Sequence, residues 1–286
     1  AASSRRRTAG LVKAWLLSAT TKDVSRILMY SDIETFPVSS CRKEVAMTTT
    51  TRDRATAAQE RGRIMDSRNE FWRPEDLATS GSTTLHLLAD LVEAGELRRI
   101  RRGLYWRGGK TPLGMSYPRT ELVIAELAPG PGVGPTGLDA SNRLRVSTQV
   151  PRKAHIAVPR RAPESTYDID FYARPARQAR VEAELGSGEV ALLEALDQWE
   201  RTVEVPPAEA WERFRELIRN GQLRAAHLAR GSQTEPGKVR ARLRALLESL
   251  GEHALAEQIP MPDRRTTDSA LTILRDVGPT APPNAP

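Results

Sequence analysis

The chain has 286 residues, 39% of them hydrophobic and 28% charged, a balance that suits a globular protein with a buried core and excludes a wholly disordered or fibrous one. The one cysteine, Cys41, excludes an intrachain disulfide and any zinc site built from paired cysteines, so a reducing, cytoplasmic setting is expected. The net charge of +7 speaks for an anionic partner only where the excess is concentrated, and no stretch approaches the ~18 apolar residues of a membrane span.

A chain of this length leads to an expectation of about two domains. Residues 1–46 hold eight Lys/Arg against four Asp/Glu, residues 47–110 twelve against nine, and residues 111–286 hold 23 of each. The densest basic run is Leu97 to Lys110, which carries Arg98, Arg99, Arg101, Arg102, Arg107 and Lys110 and no acid.

The first 46 residues show no sustained apolar period. Arg5, Arg6 and Arg7 before Leu11 to Leu17 imitate a secretory signal, but Lys13 interrupts the run and no small-residue cleavage pattern follows cleanly. Residues 1–53 are expected to be a disordered arm or translated upstream sequence, with Met47 as the natural start and Met29 as the alternative.

From Arg54 to Met65 the composition favours a helix, and Phe71 and Trp72 anchor the chain before Arg73-Pro74-Glu75-Asp76, a helix start with proline at its first position and acids at its positive end. Thr79-Ser80-Gly81 should end that helix after barely two turns. Ser82 or Thr83 is then expected to cap a second helix running to about Glu93, with Leu85, Leu88, Leu91 and Val92 packed and Ser82, Thr83, His86, Asp90 and Glu93 free. Gly95 ends it, and Leu97, Ile100, Leu104 and Tyr105 flank a turn at Arg101-Arg102-Gly103, the pattern of a hairpin.

Helix, turn, helix, basic hairpin is the order of a winged helix-turn-helix, here residues 54–110. In that fold Ser82, Thr83 and His86 approach base edges or phosphates in the major groove of double-stranded DNA, while Arg98, Arg99, Arg101, Arg102 and Arg107 neutralise phosphates beside it. A charge run alone is more often solvated surface. Its coincidence with the turn, the glycine and the helix lengths is what favours DNA.

Residues 111–276 read as a mixed second domain, so the fold class is α/β in the broad α+β sense. A helix from about Arg119 to Leu127 leads through the Pro129 to Gly134 turn to a short helix opened by Pro135. Strands are expected at Val146–Val150, Ala154–Val158 and Tyr167–Tyr172. From Glu182 onward helical spacing recurs in Val190, Leu192, Leu193 and Leu196, in Trp211, Phe214, Leu217 and Ile218, and in Val239, Leu243, Leu246, Leu247 and Leu250. Lys238, Arg240, Arg242 and Arg244 are expected on solvated surface. The proline-rich residues 277–286 are expected to be an unstructured tail.

The chain offers little to catalysis. Gly130 to Gly137 lacks the Gly-Lys-Ser/Thr ending of a phosphate loop, His86, His155, His227 and His253 have no metal-ligand spacing, and no serine sits in a Gly-x-Ser-x-Gly elbow. No catalytic residue, metal or cofactor is expected. Asp168 and Asp170, alternating on an expected strand, are the nearest thing to a nuclease pair, and a solvated sheet face explains them as well.

The order of Phe71 to Asp76, Leu91-Val92-Glu93-Ala94-Gly95-Glu96-Leu97, Arg101-Arg102-Gly103-Leu104-Tyr105 and Val133-Gly134-Pro135-Thr136-Gly137-Leu138 resembles the AbiEi-like family, antitoxin members of type IV toxin-antitoxin systems, over about residues 55–175. The resemblance implies a winged helix-turn-helix that represses its own promoter, joined to a domain that counters a cognate nucleotidyltransferase-like toxin without being an enzyme. Two alternatives stay open. One is a winged-helix regulator or protein-interaction module with no toxin partner, its basic hairpin docking an acidic protein; the other is a nuclease-like enzyme using Asp168 and Asp170. The oligomeric state is not readable from one chain.

Overall fold

In the computed structural model the described residues are 54–112 and 114–274, and they belong to one compact unit. The expected leader (1–53) and tail (277–286) lie outside the described residues. Helix α1 occupies residues 54–66 and buries Ile64. Strand β1 (Glu70–Trp72) follows. The helix expected at Pro74 is a single 3-10 turn, Pro74–Asp76. Its second turn is lost because Leu77 is already extended (φ −105°, ψ 137°) and buried.

Helix α2 spans Gly81–Glu93 and is capped at Ser80 rather than at Ser82 or Thr83: Ser80 is extended and its carbonyl accepts the Thr84 amide at 2.8 Å. This earlier start sets the helix phase. Thr84, Leu87, Leu88 and Leu91 face inward, Val92 is half-buried, and Leu85, expected in the core, is 57% exposed.

Strands β2 (Arg98–Arg101) and β3 (Leu104–Arg107) form the expected hairpin, and the left-handed backbone that its turn and the end of α2 require falls on Gly103 (φ 73°) and Gly95 (φ 68°). Strand β1 pairs with β3, giving an antiparallel sheet of order β1-β3-β2. Side chains alternate across it. Trp72 and Tyr105 close over a core of Ile64, Leu77, Leu87, Leu88, Leu91 and Leu97, whereas Phe71 and Ile100 pack with Val123, Val133, Ile156, Val158, Ile169 and Phe171. The sheet is thus covered by apolar side chains on both sides.

A two-residue pair of strands, β4 (Lys110–Thr111) and β5 (Gly114–Met115), leads to α3 (Thr120–Leu127). A second sheet contains β6 (Gly134–Pro135), β7 (Ala154–Val158) and β8 (Ile169–Ala173) in the order β6-β7-β8, with β7 and β8 parallel. Pro135 therefore sits in a strand, and helix α4 (Gly137–Arg143) begins after Thr136. A Cβ on Gly134 would lie 2.7 Å from the Val190 Cβ and 2.8 Å from the Ser187 carbonyl oxygen, so this close strand-helix contact requires glycine.

Val146–Val150 forms no strand despite its β-branched composition. The Glu204 carboxylate takes the Thr148 amide (2.8 Å), the Ser147 hydroxyl (2.8 Å) and the Gln149 side chain, and these bonds hold its carboxyl down to about 2. With the Thr148 amide taken by the Glu204 carboxylate and the Val146 carbonyl by the Glu204 and Val205 amides, the segment is bonded to residues 204–205 instead of to a sheet.

The remainder is helical: α5 (Ala179–Glu182), α6 (Ser187–Asp197), α7 (Trp199–Thr202), α8 (Pro207–Arg219), α9 (Ala225–Gly231), α10 (Gly237–Ser249), α11 (His253–Glu257) and α12 (Arg264–Ala270). Every residue of α6 from Glu189 to Leu196 is buried, so it is the central helix of the largest core. Arg242, expected on the surface, is 1% exposed and donates to the Leu196 (2.6 Å) and Ala270 (3.0 Å) carbonyls. Residues two apart take opposite sides of a helix, so Arg240 and Arg244 leave Arg242 on the packed side of α10. The architecture is mixed helix and sheet, of α+β type.

Candidate nucleic-acid interface

Helix α2 presents Gly81, Ser82, Leu85, His86 and Ala89 as one exposed face. Its first turn holds no acid, and Asp90 and Glu93 are confined to its far end. Thr83 is half-buried and accepts the Ser80 hydroxyl at 2.9 Å, so it is engaged at the helix start rather than free. Ser82 and His86 are exposed, as expected.

The arginines divide into two groups. Arg99 and Arg102 are exposed and Arg101 is half-buried; register with Tyr105 puts Arg99 on the sheet face that packs toward α2. Arg98 pairs with Trp106 on the opposite face, and its guanidinium lies 3.6 Å over the ring of the exposed Tyr117. Among the described residues no carboxylate lies within ion-pairing distance of these four.

Arg107 does not belong with them. Its side chain is 12% exposed, pairs with Glu96 at 3.3 Å and donates to the Glu96 (3.2 Å) and Met65 (3.4 Å) carbonyls, binding the end of β3 to the end of α1. Lys110 also pairs with Glu96, at 2.6 Å, and this hydrogen bond holds the Glu96 carboxyl below the usual carboxylate range. One carboxylate thus neutralises two cations of the basic run. Arg107→Ala is expected to lower unfolding stability by about 2 kcal/mol, read by urea denaturation, through carbonyls left without a donor.

The two acids of the nuclease alternative lie in different surroundings. Asp170 pairs with Lys153 at 3.1 Å, while Asp168 precedes β8 and is exposed. Among the described residues no group of three or more His, Cys, Asp or Glu could hold a metal ion. In the Gly130 to Gly137 segment, the Gly132 amide donates to the Leu185 carbonyl and the Thr136 amide to the His155 carbonyl, each engaged within the fold.

The charged centre that sequence reading missed is buried. Glu194, 0% exposed on α6, meets Arg177 (2.6 Å), Arg180 (2.9 Å) and Arg174 (3.2 Å), and accepts the Thr136 hydroxyl. Arg180 continues to Glu235 (2.6 Å), Arg177 to Asp197 (2.5 Å) and Lys238 to Asp197 (3.0 Å). Burial pushes the Glu194 carboxyl up, but Arg180, Arg177 and Arg174 outweigh it and bring it to about 2. A signal for this centre was present in the sequence: arginines at 174, 177 and 180 precede an apolar helix that carries an acid among its leucines.

No family model matches the chain. No curated protein matches it either. Among solved structures it is similar to the RV2827C protein from Mycobacterium tuberculosis, with 16% sequence identity over 73% of this chain and 83% of that one and a TM-score of 0.43. Among the described residues no helix is long and apolar enough to cross a membrane.

Proposed function

We propose that the chain is a DNA-binding transcriptional regulator in which α1, the Pro74–Asp76 turn, α2 and the β2-β3 hairpin act as a winged helix-turn-helix. Helix α2 enters the major groove with Ser82 and His86 at base edges or phosphates, and Arg99, Arg101 and Arg102 neutralise the backbone beside it. One observation carries this reading: the exposed face of α2 is free of acids over its first turn, and the hairpin that follows holds Arg99, Arg101 and Arg102, which have no carboxylate partner among the described residues. Groups of one sign held apart from their counterions suit a polyanion.

In this reading the chain represses its own promoter and, as the AbiEi-like resemblance implies, neutralises a nucleotidyltransferase-like toxin; it performs no catalytic step of its own. A reporter driven by the DNA upstream of its coding region should be repressed when the chain is supplied. Unchanged reporter output would reject promoter control. For the antitoxin role, co-expression with the adjacent reading frame should relieve growth arrest, and arrest that persists would reject it.

A protein-docking reading is favoured by Arg98 stacked on Tyr117, since arginine and tyrosine are enriched at protein interfaces. It predicts basic-hairpin contacts to an acidic protein and no preference among DNA sequences.

A further inference from the structure

Leu85 stands in the middle of the α2 face described above, flanked by Ser82, His86 and Ala89, all exposed, and it joins none of the apolar cores. An isolated surface leucine needs no explanation in general. Here its place is specific: it is the one large apolar side chain on the side of the helix proposed to enter the groove. Ala89, one turn on, is small enough to let that side approach a surface closely.

A leucine has no donor or acceptor, so it cannot read the hydrogen-bonding pattern of a base edge. The major groove offers one apolar group, the C5-methyl of thymine. We infer that Leu85 selects thymine, its side chain covering the C5-methyl of a thymine under the middle of α2. The inference rests on the DNA-binding reading. Charge complementarity favours duplex DNA over an apolar protein surface as the occupant: Leu85 is ringed by polar or small residues, the first turn has no acid, and the hairpin arginines follow.

The test uses the full chain and the tightest duplex it enriches from a randomised pool. Replacing each thymine of that duplex in turn by uracil removes a methyl and leaves every hydrogen-bonding group in place. At one position or two adjacent ones the affinity of the unaltered chain should fall about fourfold, the effect of one methyl returned to water. Leu85→Ala, which removes no core contact, should bind the thymine duplex about that much more weakly and be indifferent to uracil. Selective binding that ignores uracil at every position, or a Leu85→Ala variant as sensitive to uracil as the parent, overturns the Leu85 assignment and leaves the DNA reading standing. Failure to enrich any duplex overturns both.

Discussion

Replacing Arg101 and Arg102 together by alanine is expected to weaken binding to every duplex by on the order of tenfold per arginine at about 0.1 M salt, and to reduce the slope of log K against log salt by about 1.8. Each phosphate contact releases a condensed counterion, so the loss is independent of sequence and shrinks as salt rises. Equilibrium titrations at several salt concentrations read both numbers. Because Arg102 is exposed and Arg101 half-buried at a turn held by Gly103, the double variant should fold normally. Arg107→Ala provides the contrast: folded Arg107→Ala protein should keep the parental slope, because that guanidinium is committed to Glu96 and two carbonyls. A parental slope in the Arg101/Arg102 variant would remove the hairpin from the DNA interface.

The largest effect on stability is expected at Glu194. Glu194→Gln leaves Arg180, 0% exposed, with Glu235 alone among the described residues to balance it, and removal of one partner from a buried ion pair costs about 3–5 kcal/mol. At about 2–4 °C per kcal/mol for a chain of this size, the melting temperature should fall by roughly 6–20 °C. The pH dependence follows from the same contacts. The carboxyl titrates at about 2 in the folded chain against 4.5 ordinarily, so its contribution is complete above 4.5 and is lost as pH falls from there toward 2. That contribution is about 3 kcal/mol, from 1.36 kcal/mol per pKa unit. Urea unfolding at neutral pH and at pH about 3 should show the parent losing stability on acidification and Glu194→Gln losing less. Parallel losses would mean that Glu194 does not carry the acid sensitivity.

Local chemistry made much of the fold readable. The C-terminal end of α2 and the β2-β3 turn needed left-handed residues, and Gly95 and Gly103 supplied them. Strand β7 coincides with Ala154–Val158, and α6, α8 and α10 carry the apolar residues that their spacing announced. The misreadings share a cause: in each, a distant or competing partner decided the outcome. Leu85, Leu88 and Val92 fit a helical period, but Leu87 and Thr84 fit one too, and the start at Ser80 with the core around Trp72 chose the phase that leaves Leu85 outside. Arg107 and Arg242 look like surface cations until the carbonyls they satisfy, remote in sequence, are brought beside them. Glu194 draws its partners from the segment before α6 and Thr136 from the Gly-Pro-Thr-Gly-Leu block, so that block serves the core.

For the candidate interface, residue type and charge were legible while availability was not. Ser82, His86, Arg99 and Arg102 are exposed as the pattern required; Thr83 is tied to Ser80 and Arg98 is turned onto Tyr117. Solvent exposure of an arginine is a tertiary property, set here by whether the sheet register puts a carboxylate or an aromatic ring within reach.

The most direct measurement is the affinity of the full chain for the DNA upstream of its own coding region and for a scrambled duplex of the same composition, over a salt series from about 50 to 200 mM. The account predicts tighter binding to the upstream DNA at every salt concentration, with affinity for both duplexes falling steeply as salt rises. Equal affinity for the two duplexes, or binding insensitive to salt, would contradict it and assign the hairpin arginines to a protein partner.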